Sequence, residues 1–178
     1  MITVLRLGHR PGRDSRVTTH CGLVARAFGA EKIILSGEYD RKVAEGLKKV
    51  CKNWGGDFEV LYDKQWLKTI KQHKDAGGLA VHLTMYGINL PDKIDEIRKS
   101  GKKKDLLVIV GSQKVPGEVY GLSDFNIAVG NTPHSEISAL ALFLDRYFEG
   151  KMLGRNISGG EIRIVPQEKG KKTIEGEK

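Results

Sequence analysis

Arginine meets a phosphate with parallel N–H donors, and four arginines, Arg6, Arg10, Arg13 and Arg16, crowd one N-terminal segment that also carries two glycines and a proline. That placement suits contact with a polyanion better than it suits a generic solubilising shell, the other reading of a formal net charge of +8. Further along, three stretches combine glycine, small polar residues and little bulk: His82–Gly87, Gly111–Val115 and Val129–Glu136. Gly111, Ser112 and Gly130 permit close backbone approach to a flat, adenine-like ring; the alternative is that these glycines serve tight turns only. Neither GxGxxG after a first strand nor GxxxxGK[ST] occurs, which argues against a dinucleotide or a P-loop nucleotide. Histidine is the best intrinsic proton acceptor near these segments. His134 falls in the third stretch, whereas His9 and His20 fit a phosphate contact or a capped core histidine equally well. Thr132 followed by Pro133 suggests a helix N-terminus, whose partial positive charge suits a ligand's carboxylate.

These residues need a frame. With 178 residues and 39% hydrophobic content, the chain can bury one full α/β core, and a second independent domain is not expected. Ile2–Leu7 reads as a strand, and the breakers of GHRPGRDSR end it. A helix from a Thr18 cap to Gly29 follows, then a strand at Lys32–Leu35 and an amphipathic helix over Asp40–Trp54. Next come a strand at Phe58–Leu61, a helix over Lys64–His73, a strand at Leu79–Met85, and a helix from Pro91 to Ser100. The alternation predicts a mainly parallel sheet with helices on both faces. Leu106–Val110 and Asn126–Val129 are two further strands, with no helix expected between them. In a parallel sheet all three glycine-bearing stretches then stand at one carboxyl edge, where open α/β folds bind small ligands.

The helix Ser135–Phe148 is apolar over most of its circumference, so it needs two surfaces to pack on. One is its sheet; the second is expected to be a partner subunit in a homodimer, with burial by the C-terminal segment as the alternative. Residues 151–168 read as a β-hairpin extension, Leu153–Ile157 and Ile162–Val165 turning at Gly159–Gly160, with 169–178 a mobile tail beyond a domain of residues 1–150. Cys21 and Cys51 stand far apart, outside any metal-binding spacing, and Cys51 continues the apolar face of Val43, Leu47, Val50 and Trp54. No apolar run is long enough to cross a bilayer and the N-terminus reads as a strand, so a cytoplasmic protein without membrane or metal partners is expected.

The strings GSQKVP and VGNTPHSE, within GSQKVPGEVYGLSDFNIAVGNTPHSEISALALFLDR, resemble the C-terminal half of the SPOUT RNA methyltransferases. The segment RLGHRPGRDSRVTTHCGLVARAFGAEKIILSGEYD narrows the likeness to archaeal tRNA 2′-O-ribose methyltransferases acting on cytidine 56, over about residues 1–165. The resemblance implies a deep trefoil knot and S-adenosylmethionine as cofactor. It implies that Leu83, the run Gly111, Ser112, Gln113, Lys114 and Val115, and the run Val129, Gly130, Asn131, Thr132, Pro133, His134, Ser135 and Glu136 wrap that cofactor. Arg16 matches the arginine placed near the acceptor hydroxyl; Arg10, Arg13 and Lys114 are the expected RNA-phosphate contacts. The chain departs from the wider ribose-methylating pattern at Gly111-Ser112-Gln113, where many relatives have Gly-x-Glu, and at Ser135-Glu136-Ile137, where they have Ser-Leu-Asn. A base-methylating or rRNA-directed member, or an RNA-binding protein without catalysis, are the alternatives.

Overall fold

The computed structural model describes residues 1–176. Its strands are β1 (Ile2–His9), β2 (Lys32–Gly37), β3 (Glu59–Tyr62), β4 (Leu79–Asn89), β5 (Leu106–Gly111) and β6 (Phe125–Ala128). They form one sheet in the order β3-β2-β1-β5-β4-β6, and every neighbouring pair is parallel. The central strand is apolar because both its faces are covered: Val4 and Leu5 of β1 point to opposite sides, and neither is exposed.

Helices α1 (Ser15–Ala27), α2 (Arg41–Trp54), α4 (Leu90–Gly101) and α6 (Glu136–Tyr147) cover one face, over a core that includes Val4, Cys21, Ile33, Val108, Leu140 and Phe143. The other face is covered by α3 (Trp66–Asp75) and α5 (Gly117–Leu122), over Leu5, Ile70, Leu107, Ile109 and Val119. The expected strand–helix alternation is therefore present, with three differences, the first being that β4 runs on through His82–Gly87 to Asn89 instead of ending at Met85. Between β5 and β6 stands α5, a six-residue helix where none was expected. Pro116, Gly117 and Gly121 hide it, and it is anchored by the buried Val119 with Leu122 packed against the same core cluster. α1 begins at Ser15 rather than near Thr18, so Arg16 lies in a helical first turn and not in a loop. Thr18 is instead buried, with its hydroxyl 2.9 Å from His9 Nδ1.

The C-terminal hairpin also differs. Leu153 belongs to a 3₁₀ turn over Lys151–Gly154, and Ile162–Ile164 (β7) pairs antiparallel with Thr173–Glu175 (β8). Gly159–Gly160 is not its turn, because the backbone there is engaged elsewhere: the Ser158 carbonyl accepts from Gly56 N at 3.0 Å and Glu161 N donates to the Lys52 carbonyl at 3.2 Å. The expected tail thus supplies a strand; its last two positions, 177–178, lie outside the described residues.

α6 buries one broad face, Ala139, Leu140, Phe143 and Leu144, whereas Leu142 on its other side is exposed. Its second surface is taken by α1 and α4 of the same chain, so its composition does not by itself require a partner. Cys51 is half-buried, its Sγ 3.7 Å from the Phe58 carbonyl, and burial pushes the Cys21 thiol up to about 11. No helix among the described residues is long and apolar enough to cross a membrane.

Candidate functional site

At the carboxyl edge of β5, β4 and β6 the three glycine-bearing segments enclose one cavity of about 780 Å³. Leu83, Thr84, Met85 and Tyr86 contribute from β4, Gly111 to Val115 from the turn after β5, and Val129, Pro133, His134 and Glu136 from the segment entering α6. The wall is mixed in character: Leu83, Val110, Val115, Val129 and Ala139 are apolar, while Ser112, Gln113 and the backbone of the turn are polar.

Glycine is required at two of its edges. A side chain at Gly111 would collide with Val115 Cγ2, and one at Gly87 would collide with the backbone of Asn126 and Ile127, where β4 and β6 shift register. Ser112 fastens its turn to β1 by donating from Oγ to the Leu7 carbonyl at 2.8 Å.

Not every expected residue lines the cavity. Gly130, Asn131, Thr132 and Ser135 are absent from its wall. Asn131 braces it, donating from Nδ2 to the carbonyls of Met85 at 2.8 Å and Gly87 at 3.1 Å, so the third segment is tied across the first. Ser135 is the N-cap of α6, its Oγ accepting from Ile137 N at 3.2 Å. Thr132–Pro133 therefore does not open the helix. The first turn of α6 carries Glu136, which already occupies the positive end of the helix with a carboxylate.

Glu136 is held from below. Arg6, fully buried on β1, donates from Nη2 to Glu136 Oε1 at 2.8 Å and from Nη1 to the Gly111 carbonyl. One guanidinium thus locks the second segment to the third. This corrects the grouping of Arg6 with phosphate-binding arginines: it has no solvent-facing surface. The signal was available, since a cation inside a buried parallel strand needs an internal partner.

A second network lies beneath the first segment. Asn126 donates from Nδ2 to the Tyr120 carbonyl at 3.0 Å, which orients its amide so that Oδ1 accepts from His82 Nδ1 at 2.9 Å. His82 Nε2 is left as a lone-pair acceptor without a partner among the described residues, on a buried ring that lines the cavity. Burial lowers the pKa of His82, against the raising effect of Asn126, so the ring is neutral near pH 7. The Tyr120 ring packs edge-on against it at 4.7 Å, and its hydroxyl lies 3.0 Å from Thr84 Oγ1. Tyr120 did not stand out in the sequence, and His82 did so only as the first residue of a glycine-bearing stretch, because both roles depend on pairing across β4 and β6.

The N-terminal residues divide. Arg16 is exposed, pairs with no described residue and does not line the cavity. Arg13 is largely exposed beside Asp14, and Lys114 is exposed at the cavity mouth. Arg10 is partly buried, its Nε 3.1 Å from Asp14 Oδ2. Burial acts to raise the Asp14 carboxyl, but the hydrogen bonds and charge of Arg10 hold it below the usual carboxylate range. His9 proves to be a capped core residue, with Nε2 3.4 Å from Asp40; His20 and His134 are exposed. Among the described residues no group of three or more His, Cys, Asp or Glu side chains is placed to hold a metal.

This fold is shared with solved RNA-modifying enzymes. It is similar to the TrmH/SpoU tRNA modifying enzyme of A. aeolicus, with a TM-score of 0.61 at 14% identity over 88% of this chain and 80% of that one. It is also similar to the SpoU methyltransferase AviRb of Streptomyces viridochromogenes, solved with AdoMet, with a TM-score of 0.57 at 12% identity over 87% of this chain and 59% of that one. Sequence is more specific than shape here. The chain belongs to the family described as "tRNA ribose 2'-O-methyltransferase, aTrm56", which matches residues 54–174. It is 53% identical to the tRNA (cytidine(56)-2'-O)-methyltransferase of Methanocella arvoryzae over 97% of both chains. It is equally, 53%, identical to that of Methanocaldococcus jannaschii over 98% of this chain and 96% of the relative.

Proposed function

We propose that this chain transfers a methyl group from S-adenosylmethionine to the ribose 2′-hydroxyl of cytidine 56 in tRNA, acting in the cytoplasm as a homodimer. The observation that carries the reading is the convergence of three glycine-bearing segments on one cavity in a chain of this family. The residues fit the cofactor: Leu83, Val110, Val115 and Val129 offer an apolar slot for adenine, and the backbone of Gly111–Val115 offers hydrogen bonds to its edge. When bound, S-adenosylmethionine supplies an electrophilic methyl on a sulfonium. Ser112, Gln113, Lys114, Pro133 and His134 complete the wall, while Gly130, Asn131, Thr132 and Ser135 shape and brace it.

For this chain's residues the task is alignment and charge. Holding reactants in near-attack geometry is worth about 7–11 kcal/mol. Positive charge beside the 2′-oxygen favours the alkoxide character that develops there. Arg16 is assigned that role as a phosphate clamp and oxyanion stabiliser, since a guanidinium is a poor proton acceptor. Because Arg16 lies outside the cavity of its own chain, it would act on RNA held across two copies. The apolar surface left exposed, Tyr86 and Ile88 on β4 and Leu142 on α6, supports such an association. Arg10, Arg13 and Lys114 would hold RNA phosphates. Residues 1–150 would form the methyltransferase unit, with a trefoil knot where the Asn131 segment crosses β4, and the C-terminal hairpin an accessory to it.

Mass spectrometry of nucleosides from an unmodified tRNA incubated with labelled S-adenosylmethionine tests this. A single labelled 2′-O-methylcytidine is expected. Arg16→Ala should lower its rate of formation by about 10²–10³-fold with cofactor affinity retained. A methylated base, or normal turnover by Arg16→Ala, would contradict the reaction or the role.

A further inference from the structure

A second cavity, of about 410 Å³, lies on the opposite side of the Gly111–Val115 turn, over the carboxyl ends of β1, β2 and β5. The two cavities share Gly111, Gln113, Lys114 and Val115 as a common wall. Its other sides include Arg10, Ser36, Lys64 and the indole of Trp66 at the start of α3.

Three of its polar groups lack a hydrogen-bond partner among the described residues, and one of them, His9 Nε2, still faces the Asp40 carboxylate at 3.4 Å. Ser36, 1% exposed, has an Oγ without a hydrogen-bond partner, and Arg10 Nη2 is buried and likewise unpartnered, although Arg10 Nε is engaged by Asp14. Buried hydroxyl and guanidinium groups normally find partners, because an unmet group costs stability. Here both line the same cavity, beside an aromatic ring and two lysines. A cation for phosphate, a ring for stacking and a hydroxyl for a polar edge together describe a nucleotide. Among the described residues no acidic side chain but that of Glu38 lines this cavity, so its charge favours an anion.

We propose that this second cavity receives the acceptor nucleotide of the RNA, extruded from its neighbours. The base stacks on Trp66, the phosphate rests on Arg10 with Lys64 and Lys114 nearby, and Ser36 Oγ hydrogen-bonds the polar edge of the base. For transfer, the ribose must reach over the rim of the shared Gly111–Val115 wall, so that its 2′-oxygen approaches the methyl donor in line. This assignment rests on the reading of the first cavity as the cofactor site and names the substrate pocket that goes with it.

Steady-state methylation of a tRNA transcript at saturating S-adenosylmethionine, with cofactor affinity measured calorimetrically in parallel, tests the assignment. Trp66→Leu keeps an apolar side chain against the core cluster that includes Ile70 and Leu107 but removes the ring; it should lower kcat/KM at least about tenfold, and Trp66→Phe should stay within about threefold of the wild type. Ser36→Ala should lower kcat/KM while leaving the thermal midpoint unchanged or raised, since it removes an unmet buried hydroxyl. Cofactor affinity should hold in all three. Wild-type turnover by both Trp66→Leu and Ser36→Ala would overturn the assignment and leave the methyltransferase reading standing. Equal loss of cofactor affinity in these variants would overturn it too, by making the effect structural. A wild-type chain that binds no S-adenosylmethionine would sink both.

Discussion

At the residue scale the site depends on a charge that never meets solvent. Arg6 is 0% exposed, while the carboxylate that neutralises it, Glu136, is partly open to the cavity. Removing the partner of a buried charge costs more than the pair contributes, so Glu136→Ala should lower unfolding free energy by about 2–4 kcal/mol. The double variant Arg6→Met/Glu136→Met should recover much of that loss in denaturant unfolding, yet bind S-adenosylmethionine more weakly because the Gly111 turn and α6 are no longer tied. Additive losses in the double variant would show that the two residues are not coupled. His82 gives a pH signature. Its folded pKa lies below its ordinary value of 6.5, so the stability it contributes is complete above that value and is lost as pH falls towards the depressed one. Between pH 7 and pH 5 the thermal midpoint of the wild type should therefore fall further than that of His82→Asn; equal slopes would show that the ring is not held neutral.

At the scale of elements, the sequence pattern was most informative where periodicity was strong. β1, β2, β5 and the helices α2 and α6 stand within a few residues of where their apolar spacing predicts them. It failed where a short helix carries glycine and proline, as in α5, and where a cap residue is chosen by tertiary partners. Asp14, not Thr18, flanks α1, because Thr18 is drawn inward to His9 and Asp14 is held by Arg10. The hairpin was misplaced for a related reason: Gly159–Gly160 offers the backbone freedom of a turn, but its neighbours hydrogen-bond to the end of α2 instead. A glycine shows that a conformation is permitted, not which contact uses it. At Gly87 the contact is known: its Cα abuts the Asn126–Ile127 backbone, which cannot move aside as a side chain can. Gly87→Ala should destabilise the fold by more than Gly130→Ala, where only a positive φ of 85° opposes the change and no atom stands in the way. Denaturant midpoints of the two variants check the order, and the reverse order would mean that the β4–β6 junction is pliant.

For the molecule as a whole, the strand order puts the proposed methyl-donor cavity and its neighbour next to one shared turn, where the sheet's connections diverge from β1 and β5. The position of the first cavity was legible in the sequence, since three glycine-bearing segments at the carboxyl ends of parallel strands share an edge, although the first of them, His82–Gly87, continues β4 rather than leaving it as a loop. The buried pairings that hold those loops were not, because Arg6 and Glu136 are 130 positions apart and His82 and Asn126 are 44 apart. The net charge of +8 would draw a polyanion such as RNA towards the molecule as a whole. Most decisive is a crystal structure of the full chain with S-adenosylmethionine. Its adenine should lie among Leu83, Val115 and Val129 against the Gly111–Val115 backbone, with Arg6 still joined to Glu136; a donor seated elsewhere, with that cavity vacant, would contradict the central claim.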